Sequence, residues 1–224
     1  NSCNNSDSAV DHSLVSTANI YNTFIIAVGT TAMKVITSIL AAFAFIYYDF
    51  KYKETIFNSM LLTFFIPVTV LIMPNYLLMS KLNLLNHPLG VMLPAFADGM
   101  GIFLMRQTMR GIPKALLEAA ILDGAKPFVI LRRVILPLIK PSVIAVAILF
   151  FINSWNEYTI STVLISTPAN KPITVGITQF SSFNMIEWQY LFAAALLATI
   201  PVIILFMCIE KHLAEGLTSG GVKG

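Results

Sequence analysis

The sequence predicts an all-α, polytopic membrane protein, and three observations predict it. Hydrophobic residues make up 57% of the 224 and charged residues only 11%, where a soluble domain carries about 25% charged residues. The apolar residues fall into five runs, near 22–47, 55–79, 88–108, 138–165 and 189–209, each of roughly 20 residues or more, the length a helix needs to cross hydrocarbon. The lysines and arginines gather at alternate ends of these runs, as the loops of a membrane bundle require.

Residues 1–21 form an Asn- and Ser-rich polar segment without the basic start and apolar stretch of a signal peptide. Residues 22–209 form the transmembrane domain and 210–224 a polar tail. In the first span, Lys34 stands about 12 residues in, roughly 18 Å along the helix. Thr30, Thr31, Thr37, Ser38 and Ala41 share its face by i±3 and i±4 spacing. A charge with such a stripe points into a bundle rather than into lipid. Asp98, in the third span, lies at similar depth, and a Lys34–Asp98 pair would neutralise both charges, as a structural ion pair or a solute contact. Pro67 and Pro74 interrupt the second span and predict a kinked helix packed inside the bundle.

Between the third and fourth spans lies the one long polar interruption, 110–137, with Arg110, Lys114, Lys126, Arg132 and Arg133. So charged a block cannot lie in hydrocarbon. Pro113 and Pro127 suit helix starts and Gly124 a helix end. The pattern predicts helix 113–123, a Gly turn, then helix 127–136 stopped by Pro137: a rigid helix-turn-helix elbow. The outer half of the fourth span carries Asn153, Trp155, Asn156 and Glu157. Amides and a carboxylate beside an indole suit a sugar, whose hydroxyls bind polar edges and whose C–H faces stack on the ring; interfacial packing is the other reading. The outer stretch 166–188, with Pro168, Pro172, Phe180, Phe183 and Trp188, is long and aromatic for a connector.

Lys51 and Lys53, the elbow and Lys211 and Lys223 lie on one side, and only Lys81 and Lys171 on the other. The positive-inside rule puts the elbow and C-terminus in the cytoplasm and the N-terminus of this chain outside. No GxxxxGK[ST] loop and no metal-ligand cluster occur, and His12, His87 and His212 are dispersed. Cys3 and Cys208 lie too far apart in this topology to pair. The chain is expected to bind no cofactor, to hydrolyse nothing itself and to have no nucleic-acid partner.

The elbow resembles the EAA loop of ABC importer permeases. That pattern is Glu-Ala-Ala, three residues, Gly, nine residues, then Ile-x-Leu-Pro; here it runs through Glu118, Ala119, Ala120, Gly124, Leu136 and Pro137, with Val134 at the Ile position. The second-span-like run Asn22 to Ala44, the Trp155-Asn156-Glu157-Tyr158 signature and the ending Gly216 to Gly224 are similar to the carbohydrate-uptake branch, of the maltose and glycerol-3-phosphate types. The resemblance covers nearly the whole chain. It implies a half-channel in the bacterial or archaeal cytoplasmic (inner) membrane, embedded in the lipid bilayer and completed by a second permease subunit. Two copies of an ABC ATPase subunit, carrying ATP and Mg, would drive it, and an extracytoplasmic solute-binding protein would feed it. Glu118, Ala119, Ala120, Asp123, Gly124 and Ala125 would meet the ATPase, Asn153, Trp155, Asn156 and Glu157 the solute, and 166–188 the binding protein. Permeases of this type have six spans, so a further span is expected ahead of the five. The solute is a sugar or sugar-like molecule, with glycerol 3-phosphate or another small polar solute as the alternative. A secondary transporter would need broken-helix ion sites and repeats and leaves the elbow unexplained. An intramembrane enzyme would need a nucleophile or metal site that the sequence lacks.

Overall fold

The computed structural model describes residues 17–178, 181–182, 185–186 and 188–221, with side chains for 17–178 and 188–207. The segment 1–16, Phe180, Phe183, and the Cys208, His212 and C-terminal side chains lie outside the described residues. The architecture is all-α. Helix α1 (Thr17–Tyr47) is followed by α2 (Lys53–Leu62), α3 (Ile72–Lys81), α4 (Pro88–Met92), α5 (Gly99–Arg110) and α6 (Lys114–Leu122). Then come α7 (Pro127–Ile130), a π turn over Leu131–Ile135, α8 (Leu136–Trp155), α9 (Thr159–Leu164), α10 (Ile173–Ile177) and α11 (Trp188–Gly221). A two-residue antiparallel pairing of β1 (Ser181–Ser182) and β2 (Met185–Ile186) is the sole exception among the described residues.

Among the described residues, three helices are long and apolar enough to span a membrane: Thr17–Tyr47, Pro127–Trp155 and Trp188–Met207. The second and third expected spans are present as bent pairs, Lys53–Phe65 with Val68–Lys81 at 95° and Pro88–Ala95 with Gly99–Arg110 at 50°. Counting each bent pair as one span gives up to five among the described residues, and the second is bent at a right angle rather than kinked within one helix. Ile66 takes φ −83° and ψ 114° before Pro67, because the proline ring excludes the preceding residue from the helical region. Pro74 sits within the first turn of α3, where its missing N–H costs little, and does not interrupt it.

Several boundaries differ from the sequence expectation: α1 begins at Thr17 rather than 22, α11 runs to Gly221 rather than 209, and both ends of the fourth span shift. The helix entering the fourth span does not stop at Pro137: Pro127–Trp155 runs as one helix of 29 residues. The π turn just before Pro137 widens the backbone where the ring would otherwise strike the preceding turn. At its outer end the fourth span closes at Trp155 instead of 165, and 159–164 forms the separate α9.

Helix α1 is the central post and packs most extensively on α8 and α5. The main core joins Ala42 and Phe43 of α1, Met105 and Met109 of α5, and Ile130, Ile135, Val146 and Phe150 of the 127–155 helix. Gly101 permits this closeness, since a Cβ there would overlap the Phe150 ring and the Ser38 hydroxyl. A second core, Ile26, Met79, Val91, Met92, Leu164 and Ile165, ties the outer ends together.

Candidate functional site

The elbow closes through a Schellman motif. The Ala125 N–H donates to the Ala120 carbonyl (3.0 Å) and the Gly124 N–H to the Ile121 carbonyl (2.9 Å), capping two of the last carbonyls of α6. Gly124 has φ 73°, a left-handed conformation that glycine adopts without Cβ penalty. Pro113 precedes α6 and Pro127 opens α7, so each helix starts where a missing N–H is tolerated.

The two faces of this elbow differ. Ala120 and Ala125 are half-buried and, with Leu117, pack on the main core. Glu118, Ala119, Asp123 and Gly124 are exposed. Beside them stand two residues that sequence reasoning missed, Leu122 (87% exposed) and Phe128 (66% exposed). The signal was available: Leu122 follows Glu118 by one helical turn and so shares its outward face. Large exposed apolar side chains grouped on a charged loop mark an interaction surface.

Lys34 and Asp98 meet, Nζ to Oδ2 at 3.3 Å. Asp98 stands at the break in the third span, where its other oxygen accepts the Gly101 N–H (3.1 Å) and caps α5. The Thr37 hydroxyl lies 2.9 Å from the Phe96 carbonyl in the same break. Lys34 also sits 5.2 Å from the Phe150 ring centroid. The polar stripe of α1 faces inward, with Thr30 and Ser38 fully buried. One charge pair, one cap and one hydroxyl thus close a break that would otherwise leave main-chain groups unpaired at membrane depth.

The outer end of the fourth span is built differently from the expected sugar platform. The Trp155 indole is 2% exposed, stacks on Phe151 and donates its N–H to the Ala198 carbonyl of α11 at 3.0 Å. Its ring is closed off by packing, a position that periodicity alone does not reveal. The Glu157 carboxylate accepts the N–H groups of Ile160 (2.7 Å) and Ser161 (2.9 Å) and the Ser161 hydroxyl, which starts α9. Asn153 and Asn156 remain exposed, each amide donating to the carbonyl one turn back. Of the four, the structure leaves the two asparagines accessible.

At the elbow end of the bundle a further cluster escaped the sequence reading. Arg106 is 3% exposed, pairs with Glu54, and lies 3.9 Å from the Phe57 ring centroid. Arg110 reaches the same carboxylate at 3.5 Å. The hint lay in Arg106 and Arg110, four apart on one face, opposite a loop carrying Lys53 and Glu54.

A bundle of apolar helices, with broken spans sealed by internal polar contacts and an exposed elbow between spans, defines a polytopic permease. Residues 34–219 match the family model of the binding-protein-dependent transport system inner membrane component, and the chain belongs to that family. It is 32% identical over 203 residues to the arabinooligosaccharides transport system permease protein AraQ of Halalkalibacterium halodurans, covering 91% of this chain and 73% of that one. It is 30% identical over 200 residues to the sn-glycerol-3-phosphate transport system permease protein UgpE of Rhizobium meliloti, covering 88% and 71%. It is 30% identical over 207 residues to the sulfoquinovosyl glycerol transport system permease protein SmoH of Agrobacterium fabrum, covering 92% and 73%. The fold matches a chain of a bacterial ABC transporter involved in the import of the acidic polysaccharide alginate, with TM-score 0.76, 24% identity, and 87% and 74% coverage. The chain is thus an ABC importer permease subunit of the inner membrane, a transport protein and not an enzyme.

Proposed function

We propose that this permease forms half of the translocation path for a sugar or sugar-like solute and is driven through its elbow by a separate ATPase. The observation that carries the reading is the exposed face of the elbow, with Glu118, Ala119, Asp123, Leu122 and Phe128 grouped around the Gly124 turn. Such a face, rigid by its own capping and partly apolar, is suited to a groove in a partner. ATP and Mg belong to that partner, present in two copies. A second permease subunit completes the path, and an external binding protein delivers solute to the side carrying 166–188. The elbow and C-terminus face the cytoplasm and the N-terminus of this chain faces outside, in keeping with the charge distribution. Residues 22–209 act as the transporting unit and 1–21 and 210–224 as its flanks. Ala120 and Ala125 serve the elbow from within, by seating it on the bundle. Asn153 and Asn156 are the side chains offered to solute, and Trp155 and Glu157 hold the helix end that carries them. Relatives named for arabinooligosaccharides and sulfoquinovosyl glycerol favour a sugar. Those named for sn-glycerol 3-phosphate support that compound as the second reading.

Gly124→Asp tests the coupling role. A side chain at Gly124 meets nothing within 4 Å in the subunit itself, and the left-handed backbone costs a non-glycine residue about 1 kcal/mol. The variant subunit therefore inserts and folds, while transport and solute-stimulated ATP hydrolysis by the assembled importer are lost. Normal transport with full assembly would overturn the assignment.

A further inference from the structure

A pocket of about 340 Å³ opens between the end of α1, the start of α2, the end of α5 and the start of α6. Its charged lining is Lys53, Arg106, Arg110 and Lys114 against Glu54 and Glu118, an excess of two positive charges. Glu54 is already engaged by both arginines. Lys53 gives one N–H to the Tyr48 carbonyl at 2.9 Å and keeps the others. The floor is apolar, with Phe45, Met109 and Leu117. It is formed where α1 and α5 end, beside the elbow, on the side that the proposed function places in the cytoplasm.

We propose that this pocket binds the headgroup phosphate of an anionic phospholipid from the cytoplasmic leaflet. Two features favour a lipid over a free anion. The lining combines surplus cations with an apolar floor, which matches a charged headgroup joined to an acyl chain. It also lies beside the membrane surface, where anionic lipid is concentrated and basic pockets between helices take up acidic headgroups. Arg106, fixed by Glu54 and the Phe57 ring, supplies a rigid cationic wall, while Lys53 and Lys114 close over the phosphate. A lipid held there bridges the first loop and α6.

The assembled importer, delipidated and returned to phosphatidylcholine nanodiscs containing a minor fraction of phosphatidylglycerol, tests this by mass spectrometry of retained lipid. The native complex is expected to keep phosphatidylglycerol in preference to phosphatidylcholine. Lys53→Gln and Lys114→Gln should each lower its retention roughly fivefold, the factor for one surface cation at about 1 kcal/mol. Lys53→Arg with Lys114→Arg should restore it. Equal retention of both lipids, insensitivity to the glutamine variants, or equal loss in the arginine variants would each overturn the proposal. Displacement by millimolar inorganic phosphate would give the pocket to a free anion and overturn the lipid assignment. Retention is read without ATP, so the result stands apart from the coupling role of the elbow.

Discussion

At the end of the bundle away from the elbow, side-chain amides reach across long stretches of sequence to main-chain groups; at the elbow end, ion pairs and local caps do the holding. The Asn86 side-chain oxygen accepts from the Ser166 N–H (2.7 Å), the Thr167 N–H (2.9 Å) and the Ser166 hydroxyl (2.9 Å). Asn170 answers by donating to the Asn86 carbonyl at 2.7 Å. From α1, Asn19 and Asn22 donate to the carbonyls of Lys171 and Ala169, and Thr23 accepts the Ile173 N–H. The elbow's own bonds, by contrast, all join residues close in sequence. That cap is therefore tied to α1 by bonds to Asn19, Asn22 and Thr23. The elbow holds its turn by local bonds and seats Leu117, Ala120 and Ala125 on the main core, with its outward face left open.

The largest effect expected in breaking this arrangement is at Trp155, which ties the outer end of α8 to α11. Trp155→Ala removes a fully buried indole and should cost about 3–5 kcal/mol, read as poor assembly and a lowered melting temperature of the purified complex. Trp155→Phe should cost about 1 kcal/mol, by leaving the Ala198 carbonyl without its donor. If Trp155→Ala assembles normally and only transport falls, the indole serves the solute after all.

Next comes the centre. Lys34→Ala or Asp98→Ala should each cost about 3 kcal/mol by stranding a charge at membrane depth, with Asp98 also losing the cap of α5. Replacing both with Met and Asn should recover part of the assembly, and no recovery would mean the two do not act as a pair.

Asn86→Ala should cost about 1–3 kcal/mol through unpaired main-chain groups at the outer cap. Because those bonds involve no ions, this loss should be the same at low and high salt. Arg106→Lys, at the opposite end, should have the smallest effect, and one that shrinks as ionic strength rises, since Glu54 is 61% exposed and its pairing is screened. Melting curves at two salt concentrations separate the ends, and a salt-sensitive Asn86 variant would erase the distinction.

Much of this was legible in the sequence, for identifiable reasons. A run of apolar residues long enough to span has few other fates, so the five runs could be read directly. Lys34 and Asp98 were legible as partners because a charge in an apolar run must find its opposite among very few candidates. The elbow was legible because Pro113, Gly124 and Pro127 constrain the backbone locally, whatever surrounds them.

Other features depended on which faces meet. Whether Pro137 ends a helix or rides through it depended on a π turn that the surrounding core accommodates. Trp155 and Glu157 carry the same chemistry in a sugar site as in a scaffold, and only the neighbouring α11 and α9 decided for packing and capping. The clustering of Glu54, Arg106 and Arg110 required two segments about fifty residues apart to fold together. Sequence by itself determined the membrane class, the spans and the elbow, because hydrocarbon and backbone sterics act on each segment alone. The tertiary structure decided which polar side chains are consumed in holding helices together and which stay exposed, because that depends on neighbours brought in from elsewhere in the chain.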